Sequence, residues 1–395
     1  MSNVPTGAEI AYWTVASGLR ETEIAPVVAG FAERLAAAVP GLSRVLVGAP
    51  TLHPTIVSAT WIWQRGLTLE GARHGLESTA DEDWLNSPLY LALQTGIETM
   101  RFDLTAPEHV SRFPVFESFA AAGHTDYLLR MVTFEGETRA SGIEGIIVTF
   151  LGDAPSGFSD REVALFEQVL PALSLAVFRL AVSEIARNLL SAYLGADAGQ
   201  RVLGGRVHRG DVERIRAAVF FADLRHFTDI SERLPPAEMV TWLNAGLAEL
   251  GDPTARHGGE ILKFLGDGLL AIFPTESGEA DACRRALAAA MEGMQALVGL
   301  NGDNGGENSY AADIALHLGE VAYGNVGASD RLDFTVIGPT VNEVSRMESL
   351  CDELGVHLVM SEPFAACLEM PVRDLGTYSL RGLSRPRRLL TLTEC

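Results

Sequence analysis

The sequence predicts two α/β units, each a sheet with helices packed on it, joined by a helical connection. Three observations predict this. The chain has 395 residues, more than one compact core normally holds, so two domains are expected. Strand-like and helical patterns alternate through the C-terminal half, and such alternation gives an α/β sandwich. The N-terminal half mixes both patterns and ends in one long helical stripe. The expected boundaries are 1–182 for the first domain, 183–211 for a helical linker and junction, and 212–395 for the second domain.

In the first half, Thr55–Trp63, Tyr127–Phe134 and Gly145–Phe150 are apolar runs of strand type. The regions around Ala8–Ala38 and Asp81–Gln94 read as helical. Ser159-Asp160 offers an N-cap for the long helix. Along it Phe166, Val169, Leu173, Val177 and Leu180 recur three or four residues apart, and Ile185, Leu189 and Tyr193 extend the stripe. A helix packed on its own domain and a dimeric stem both give such a stripe. The stem is the preferred reading after Ser183. Gly195–Asp211 is glycine-rich and mixed in charge, and reads as the junction.

The second half starts with a strand at Ile215–Ala222 and a helix at Asp229–Leu250. Glu260–Phe264 and Leu269–Phe273 read as strands around the tight turn Gly266-Asp267-Gly268. An Ala-rich helix, Ala280–Leu297, precedes a polar loop at Asn301–Ser309. Strands at Ala312–Leu318 and Asp333–Ile337 lead to a helix at Thr340–Leu354.

Composition narrows the function. With 47% hydrophobic and 21% charged residues the chain has the make-up of a globular protein. A net charge of −21 makes it a poor binder of nucleic acid. An anionic substrate would then need metal ions or local basic groups. The longest apolar run, Leu170–Val182, is interrupted by Pro171, Ser174 and Arg179, so no membrane span is expected. The N-terminus, MSNVPTGAEI, lacks the basic and apolar regions of a signal peptide, and a cytoplasmic location is expected. Cys283, Cys351, Cys367 and Cys395 have no metal-type spacing and read as reduced thiols.

Three segments carry chemistry. In Val219–Thr228, Asp223 ends an apolar strand and Phe227-Thr228 begins a helix. A carboxylate beside the free N–H groups of a helix start suits a cation and a polyphosphate. In Gly258–Phe273, Asp267 lies in a glycine-flanked hairpin turn, and Lys263 sits inside an apolar strand, where a lone charge needs a partner. In Arg331–Glu348, Asn342 and Arg346 stand four residues apart on one helix, so an amide and a guanidinium project together. Taken singly, each has a plain reading: a solvated turn, an exposed sheet face, a solvated helix face.

Together the three segments resemble the catalytic domain of class III nucleotidyl cyclases, over roughly residues 212–392. The family signatures are F-x-D-I/L-x-G-F-T, G-G-x-x-x-K-x-x-G-D and Y-D/T-x-x-G-x-x-V-N-x-A-x-R. The resemblance implies a ferredoxin-like catalytic fold of the α+β class. It implies that Asp223 and Asp267, with the backbone carbonyl of Leu224, hold two divalent ions per active site, Mg²⁺ or Mn²⁺. Asn342 would orient the ribose, and Arg346 would stabilise charge on the α-phosphate. Phe227 and Thr228, at the helix start, would help seat the triphosphate. Arg381 stands where the family often has a triphosphate-binding lysine. Lys263 and Thr335 would read adenine, the first donating to N1 and the second accepting from the 6-amino group. This pair resembles that of the adenylate cyclase subgroup associated with bicarbonate stimulation. The expected activity is therefore conversion of ATP to cyclic AMP and pyrophosphate at a homodimer interface. A guanylate cyclase, or an inactive nucleotide-binding or dimerisation module, are the alternatives. One position departs from the pattern: His226 stands where the family has glycine, which is strained if that glycine serves a positive φ.

Residues 1–182 resemble a GAF-type sensor domain, through the strand and helix order and the segment Pro155–Glu167. A small-molecule ligand for this half is left open. Trp61, Trp63 and Trp84 read as core residues, with a pocket lining as the other reading. His53, His74, His109 and His124 read as surface residues, and no haem attachment motif is present.

Overall fold

The structure is a computed structural model of the chain, and it describes residues 4–51, 53, 55–134, 145–302 and 308–393. The middle of the expected polar loop Asn301–Ser309, at 303–307, lies outside the described residues, as do Cys395 and residues 1–3. Contacts divide the chain into Met1–Leu189 and Leu190–Cys395.

The first unit is built on a six-stranded antiparallel sheet in the order β3-β2-β1-β6-β5-β4. The strands are β1 Leu42–Pro50, β2 Ile56–Gln64, β3 Glu70–Gly75, β4 Thr99–Asp103, β5 Asp126–Thr133 and β6 Gly145–Gly152. Side chains alternate between the faces of a strand, and the register shows which residues share one. Val45, Phe150 and Leu128 form one cross-strand row; Arg44, Leu151 and Tyr127 form the next, on the other face. Helices Gly7–Arg20, Ile24–Ala38 and Asp160–Leu194 cover the first face. There Phe150 stacks on Phe166, with ring centroids 4.4 Å apart. On the second face, helices Pro88–Thr95 and Pro114–Ala121 pack through Ala92 and Phe116 against Tyr127 and Leu129.

The long helix starts as expected: Ser159 N donates to Glu162 Oε2 at 2.8 Å, and Glu162 N donates back to Ser159 Oγ at 3.4 Å. Past Ser183 it still packs on its own unit. Ile185 is buried in the core with Val177 and Leu180, and Leu189 packs on that core. Only Tyr193, 81% exposed, stands clear. By length and composition this is the one helix among the described residues able to cross a membrane. A count of unbroken apolar residues misses it because Pro171, Ser174 and Arg179 divide the run. Half of its most apolar window is buried inside the protein.

Two other readings change here. The helical region Ala8–Ala38 is broken at Glu21–Glu23 into two helices. His124 is not a surface residue: it is buried, with Nδ1 2.9 Å from Ser43 Oγ, and burial pushes its pKa down. Trp63 is a core residue and Trp61 packs against the same core.

The second unit holds an eight-stranded sheet, β13-β14-β12-β10-β7-β9-β8, with β11 paired to β10. Its strands are β7 Val212–Leu224, β8 Glu260–Leu265, β9 Gly268–Pro274, β10 Ala312–Gly327, β11 Leu332–Ile337, β12 Leu358–Ser361, β13 Val372–Tyr378 and β14 Arg387–Leu392. All pairs are antiparallel except β10 with β12. Along β7, Ala218 and Phe220 enter one core with helices Pro236–Arg256 and Glu279–Asn301. Ala217 and Val219 enter another with helix Pro339–Glu348. The sheet therefore carries helices on both faces, and β7 reads as an unbroken apolar run because it is buried on both.

Proline divides the expected helix Asp229–Leu250 at Pro235-Pro236, giving Phe227–Arg233 and Pro236–Arg256. The junction holds a short helix, Ala196–Leu203, that belongs to this unit. Its Asp197 N and Ala198 N donate to Glu260 Oε1, at 2.9 and 3.4 Å, and Ala198 is fully buried. Gly195 precedes it at φ 93°, and a Cβ there would meet Glu260 Oε1 at 2.4 Å.

Candidate active site

β7 ends at Asp223-Leu224, directly beside the start of β9, so that Asp223 faces Gly268. A Cβ on Gly268 would lie 2.9 Å from Asp223 Oδ1. Glycine is what lets that carboxylate lie against the β8–β9 turn. The turn is closed by Gly266 at φ 70°, and Leu224 N donates to the carbonyl of Asp267 at 3.2 Å. Two carboxylates from distant parts of the chain are thus neighbours. Burial, then the charges of Asp267 and Asp313, pushes the Asp223 carboxyl up to about 6. Burial also raises Asp267.

Among the described residues, no Lys or Arg pairs with Asp223 or Asp267. The adjacent cation, Arg225, is already engaged elsewhere. Its guanidinium donates to Asp313 at 2.8 Å and to Asp352 at 2.5 Å. Asp313 lies directly opposite Asp223 on β10 and also accepts from or pairs with His357 Nδ1 at 2.8 Å. A carboxylate buried at this position needs a partner, and Arg225 is it. Asp223 and Asp267 are left as an uncompensated pair.

That pair fits a divalent cation. Two carboxylates and a strand-end carbonyl form an all-oxygen set of the kind Mg²⁺ uses when substrate phosphates complete its shell. Among the described residues no group of three or more His, Cys, Asp or Glu side chains is placed to hold a metal on its own. Glu348, at the end of helix Pro339–Glu348, is a further acid close enough to feel this charge. Burial, then Asp223 and Asp313, pushes it up to about 7.

Helix Phe227–Arg233 begins beside Asp223. His226 at its N-cap makes no side-chain capping bond, so the first-turn N–H groups are not taken by a cap. Phe227 stacks on Trp242, and Trp242 on Tyr310 with centroids 4.7 Å apart, which fixes the helix start. Thr228 is exposed next to it. His226 has φ 62° and ψ 14°, the one non-glycine residue with positive φ among the described residues. The family glycine at this position therefore serves a left-handed backbone, and His226 carries the strain. His226→Gly is expected to stabilise the nucleotide-free protein by about 1 kcal/mol, the left-handed penalty less the added chain entropy. Thermal unfolding of the two proteins checks it; an equal or lower melting temperature for the glycine variant contradicts it.

Lys263 meets the strand that carries Thr335. Lys263 Nζ on β8 donates to Asp333 Oδ2 on β11 at 3.3 Å. Asp333 and Thr335, two residues apart on β11, share a face. Thr335 is 4% exposed, and its Oγ1 is buried without a hydrogen-bond partner among the described residues. Asp333 was not singled out in the sequence; its signal is the i, i+2 spacing with Thr335.

On helix Pro339–Glu348, Val344 and Met347 are buried while Asn342 is exposed and Arg346 half-buried. Among the described residues no carboxylate pairs with Arg346. Its guanidinium lies against Gly382, where an added Cβ would sit 3.5 Å from Nη1 and Nη2. Arg381, exposed, is the preceding residue. The backbone next to Arg381 thus lies at the Arg346 guanidinium. Among the described residues no hydrogen bond or ion pair links the Asp223–Asp267 group with the Lys263–Thr335 group or with Asn342 and Arg346.

The second unit thus carries a paired acidic end and, elsewhere on the same sheet, a buried hydroxyl without a partner among the described residues. Residues 212–391 match the adenylate and guanylate cyclase catalytic domain family, and this segment is a class III cyclase catalytic domain. The chain is 35% identical over 176 residues to an adenylate cyclase of Anabaena cylindrica, a stretch covering 43% of this chain and 33% of that protein. It is 30% identical over 234 residues to adenylate cyclase 2 of Rhizobium meliloti, covering 58% of this chain and 63% of the relative. Both matches thus span less than two thirds of the relatives' length. Among solved structures, the adenylyl cyclase CyaB from P. aeruginosa aligns at 26% identity and a TM-score of 0.43, over 47% of this chain and 97% of that one.

Proposed function

We propose that the protein is an adenylate cyclase, converting ATP to 3′,5′-cyclic AMP and pyrophosphate, with its active sites between two copies of the chain. The observation that carries the choice of base is the Thr335 hydroxyl, unpaired among the described residues, on the strand that holds Lys263 through Asp333. A buried hydroxyl without a partner costs about 1–3 kcal/mol, which a bound donor would relieve. Adenine supplies that donor in its 6-amino group, and its N1 accepts from the Lys263 ammonium. Guanine presents the opposite pattern at both atoms.

The reaction joins the ribose 3′-oxygen to the α-phosphorus and releases pyrophosphate. Two divalent ions, when held by Asp223, Asp267 and the Leu224 carbonyl, would activate that oxygen and neutralise the triphosphate. The chain's own contribution is positioning and charge. Asp333 holds the Lys263 ammonium in place for the base. Asn342 projects its amide one helical turn before Arg346, suited to orient the ribose. Arg346, without a carboxylate partner, is available to charge on the α-phosphate, and Arg381 to the rest of the triphosphate. The N-terminal unit would act as the regulatory input, in the cytoplasm where ATP is made available.

The test offers ATP and GTP separately to the purified protein with Mg²⁺ or Mn²⁺ and identifies products by chromatography. Cyclic AMP from ATP supports the reading; tight ATP binding with no turnover under either metal supports an inactive module instead. Lys263→Glu sharpens the base assignment, because it sets two acceptors face to face at N1. We expect it to lower kcat/KM for ATP by roughly 10²–10³-fold, below the ceiling of about 10⁴–10⁵ for a fully dry site. An unchanged ATP-to-GTP preference would mean that Lys263 does not read the base.

A further inference from the structure

We propose that the first unit binds a small organic monocarboxylate in the cavity between its sheet and the helices Pro88–Thr95 and Pro114–Ala121. The cavity measures about 400 Å³, and its walls include Arg44, Leu46, Leu89, Phe119, Tyr127 and Thr149. This is within the range of small-molecule sites. The proposal is independent of the cyclase reading, because none of these residues belongs to the second unit.

Three polar groups line the cavity with no hydrogen-bond partner among the described residues. Arg44 and Tyr127 stand on either side of Leu151 in one cross-strand row, and Thr149 lies two residues from Leu151 on the same face of β6. Tyr127 and Thr149 are each 1% exposed, and both hydroxyls are buried with no hydrogen-bond partner among the described residues. Native proteins leave few such groups, and each unpaired one is destabilising. The other lining hydroxyls are engaged locally: Ser87 Oγ accepts from Tyr90 N, and Ser118 Oγ donates to the carbonyl of Val115.

The Arg44 guanidinium lies 5.2 Å from the Phe119 ring centroid. Among the described residues no carboxylate pairs with it, and burial pushes its pKa down. Four other arginines of this unit, Arg65, Arg73, Arg101 and Arg130, each hold a carboxylate. Arg44 is set apart from them in a pocket with two free hydroxyls.

These groups specify the ligand. A guanidinium and two hydroxyl donors suit the two oxygens of a carboxylate. Leu46, Leu89 and Phe119 suit an apolar body behind it. One cation matches one negative charge, and Asp83 in the lining would repel a second.

The experiment uses the full chain with benzoate, phenylacetate and 4-methylpentanoate as probes and benzamide as the uncharged control. Binding is read by saturation-transfer NMR and by the shift in melting temperature. At least one acid should bind at millimolar concentration, benzamide should not, and Arg44→Met should weaken that acid by about tenfold or more. Thr149→Val and Tyr127→Phe should weaken it severalfold while leaving the unliganded melting temperature equal or higher, since each removes an unpaired buried hydroxyl. A purely structural role for those hydroxyls would lower that temperature, and this result would overturn the proposal. So would failure of all three acids to bind the native chain, or equal binding by the native and Arg44→Met proteins.

Discussion

Asp223→Asn is expected to remove nearly all cyclic AMP production and, at the same time, to make the metal-free protein more stable. Both effects have one cause. Asp223 and Asp267 are neighbours with no protein cation paired to them among the described residues, and burial, then repulsion from Asp267 and Asp313, lifts the Asp223 carboxyl from its ordinary 3.8 to about 6. A carboxylate whose pKa is raised on folding opposes folding when ionised. The stability that depends on its protonated form is complete below about pH 4, where the unfolded chain is also protonated. It is lost as pH rises through about 6. Above that pH the native pair carries an uncompensated charge, which a divalent cation can neutralise. The amide keeps the shape and removes the charge. The shift corresponds to a little over two pH units, but the site is partly open to water, so about 1 kcal/mol is the expected gain at pH 7.5. That is roughly 2–4 °C in the melting temperature of a unit of this size.

The pH dependence has a definite sign. The melting difference between Asp223→Asn and the native chain, in chelator, should be near zero at pH 4 and grow to its full value by about pH 7. Added Mg²⁺ or Mn²⁺ should narrow it by stabilising the native chain alone. Metal affinity should fall as pH drops through about 7 to 6, where Glu348 and Asp223 take up protons. Turnover of the asparagine variant should fall by at least about 10²-fold, in line with losing a group that fixes transition-state charge. Native-like turnover at saturating Mn²⁺ would sink the assignment of Asp223 to the metal. A variant less stable than the native chain in chelator would show that its carboxylate has a supporting role in the fold.

The catalytic half was legible because its chemistry lies in short contiguous stretches. Asp223 at a strand end, Asp267 between two glycines, and Asn342 with Arg346 on one helix are local patterns, and each side chain lies where its pattern places it. What the sequence concealed is what depends on distant partners. Arg225 is claimed by Asp313, 88 residues away in sequence and opposite Asp223 in the sheet. Asp333 gained meaning only when β8 brought Lys263 to it. Whether His226 is strained depends on its φ, which the sequence does not show.

Strands without an alternating apolar pattern were also missed. β3, Glu70–Gly75, is a polar and largely exposed edge strand, and β13 is polar for the same reason. β10 was expected to stop at Leu318 but continues to Gly327 past glycines that break its pattern. At one of these, Gly324, a Cβ would collide with the Asp211 carbonyl. In the first half the pocket-lining reading fell on tryptophans, of which Trp63 is in the core and Trp61 packs on it, while Trp84 does neither. The cavity instead opens beside Arg44, whose significance depends on which face of β1 it occupies.

The separation of the two halves of the site leads to the second large effect. Lys263 and Asp267 lie on one hairpin, four residues apart, yet on the proposed reading one serves the base end, held by Asp333, and the other the metal end beside Asp223. ATP is extended between those ends, so a single chain cannot readily present both to one molecule. The hairpin between them exposes Phe264, 54% accessible, and Leu265, 45% accessible. Apolar side chains exposed beside functional groups suit a contact with a second copy of the chain. In a two-fold dimer, Asp223 and Asp267 of one chain would face Lys263, Thr335, Asn342 and Arg346 of its partner, giving two equivalent sites. Asp267→Ala and Asn342→Ala should then each give an inactive homodimer. In a mixed dimer one site collects both lesions and the other collects neither. With random pairing about half of the dimers are mixed and each has one intact site, so roughly a quarter of native activity should return. The measurement is cyclic AMP production after co-expressing the two variants with different affinity tags and isolating the doubly tagged dimer. Purified mixed dimers should reach about half the native rate. If they are no more active than either parent while remaining folded and dimeric, each site is built from a single chain and the shared-site arrangement is wrong.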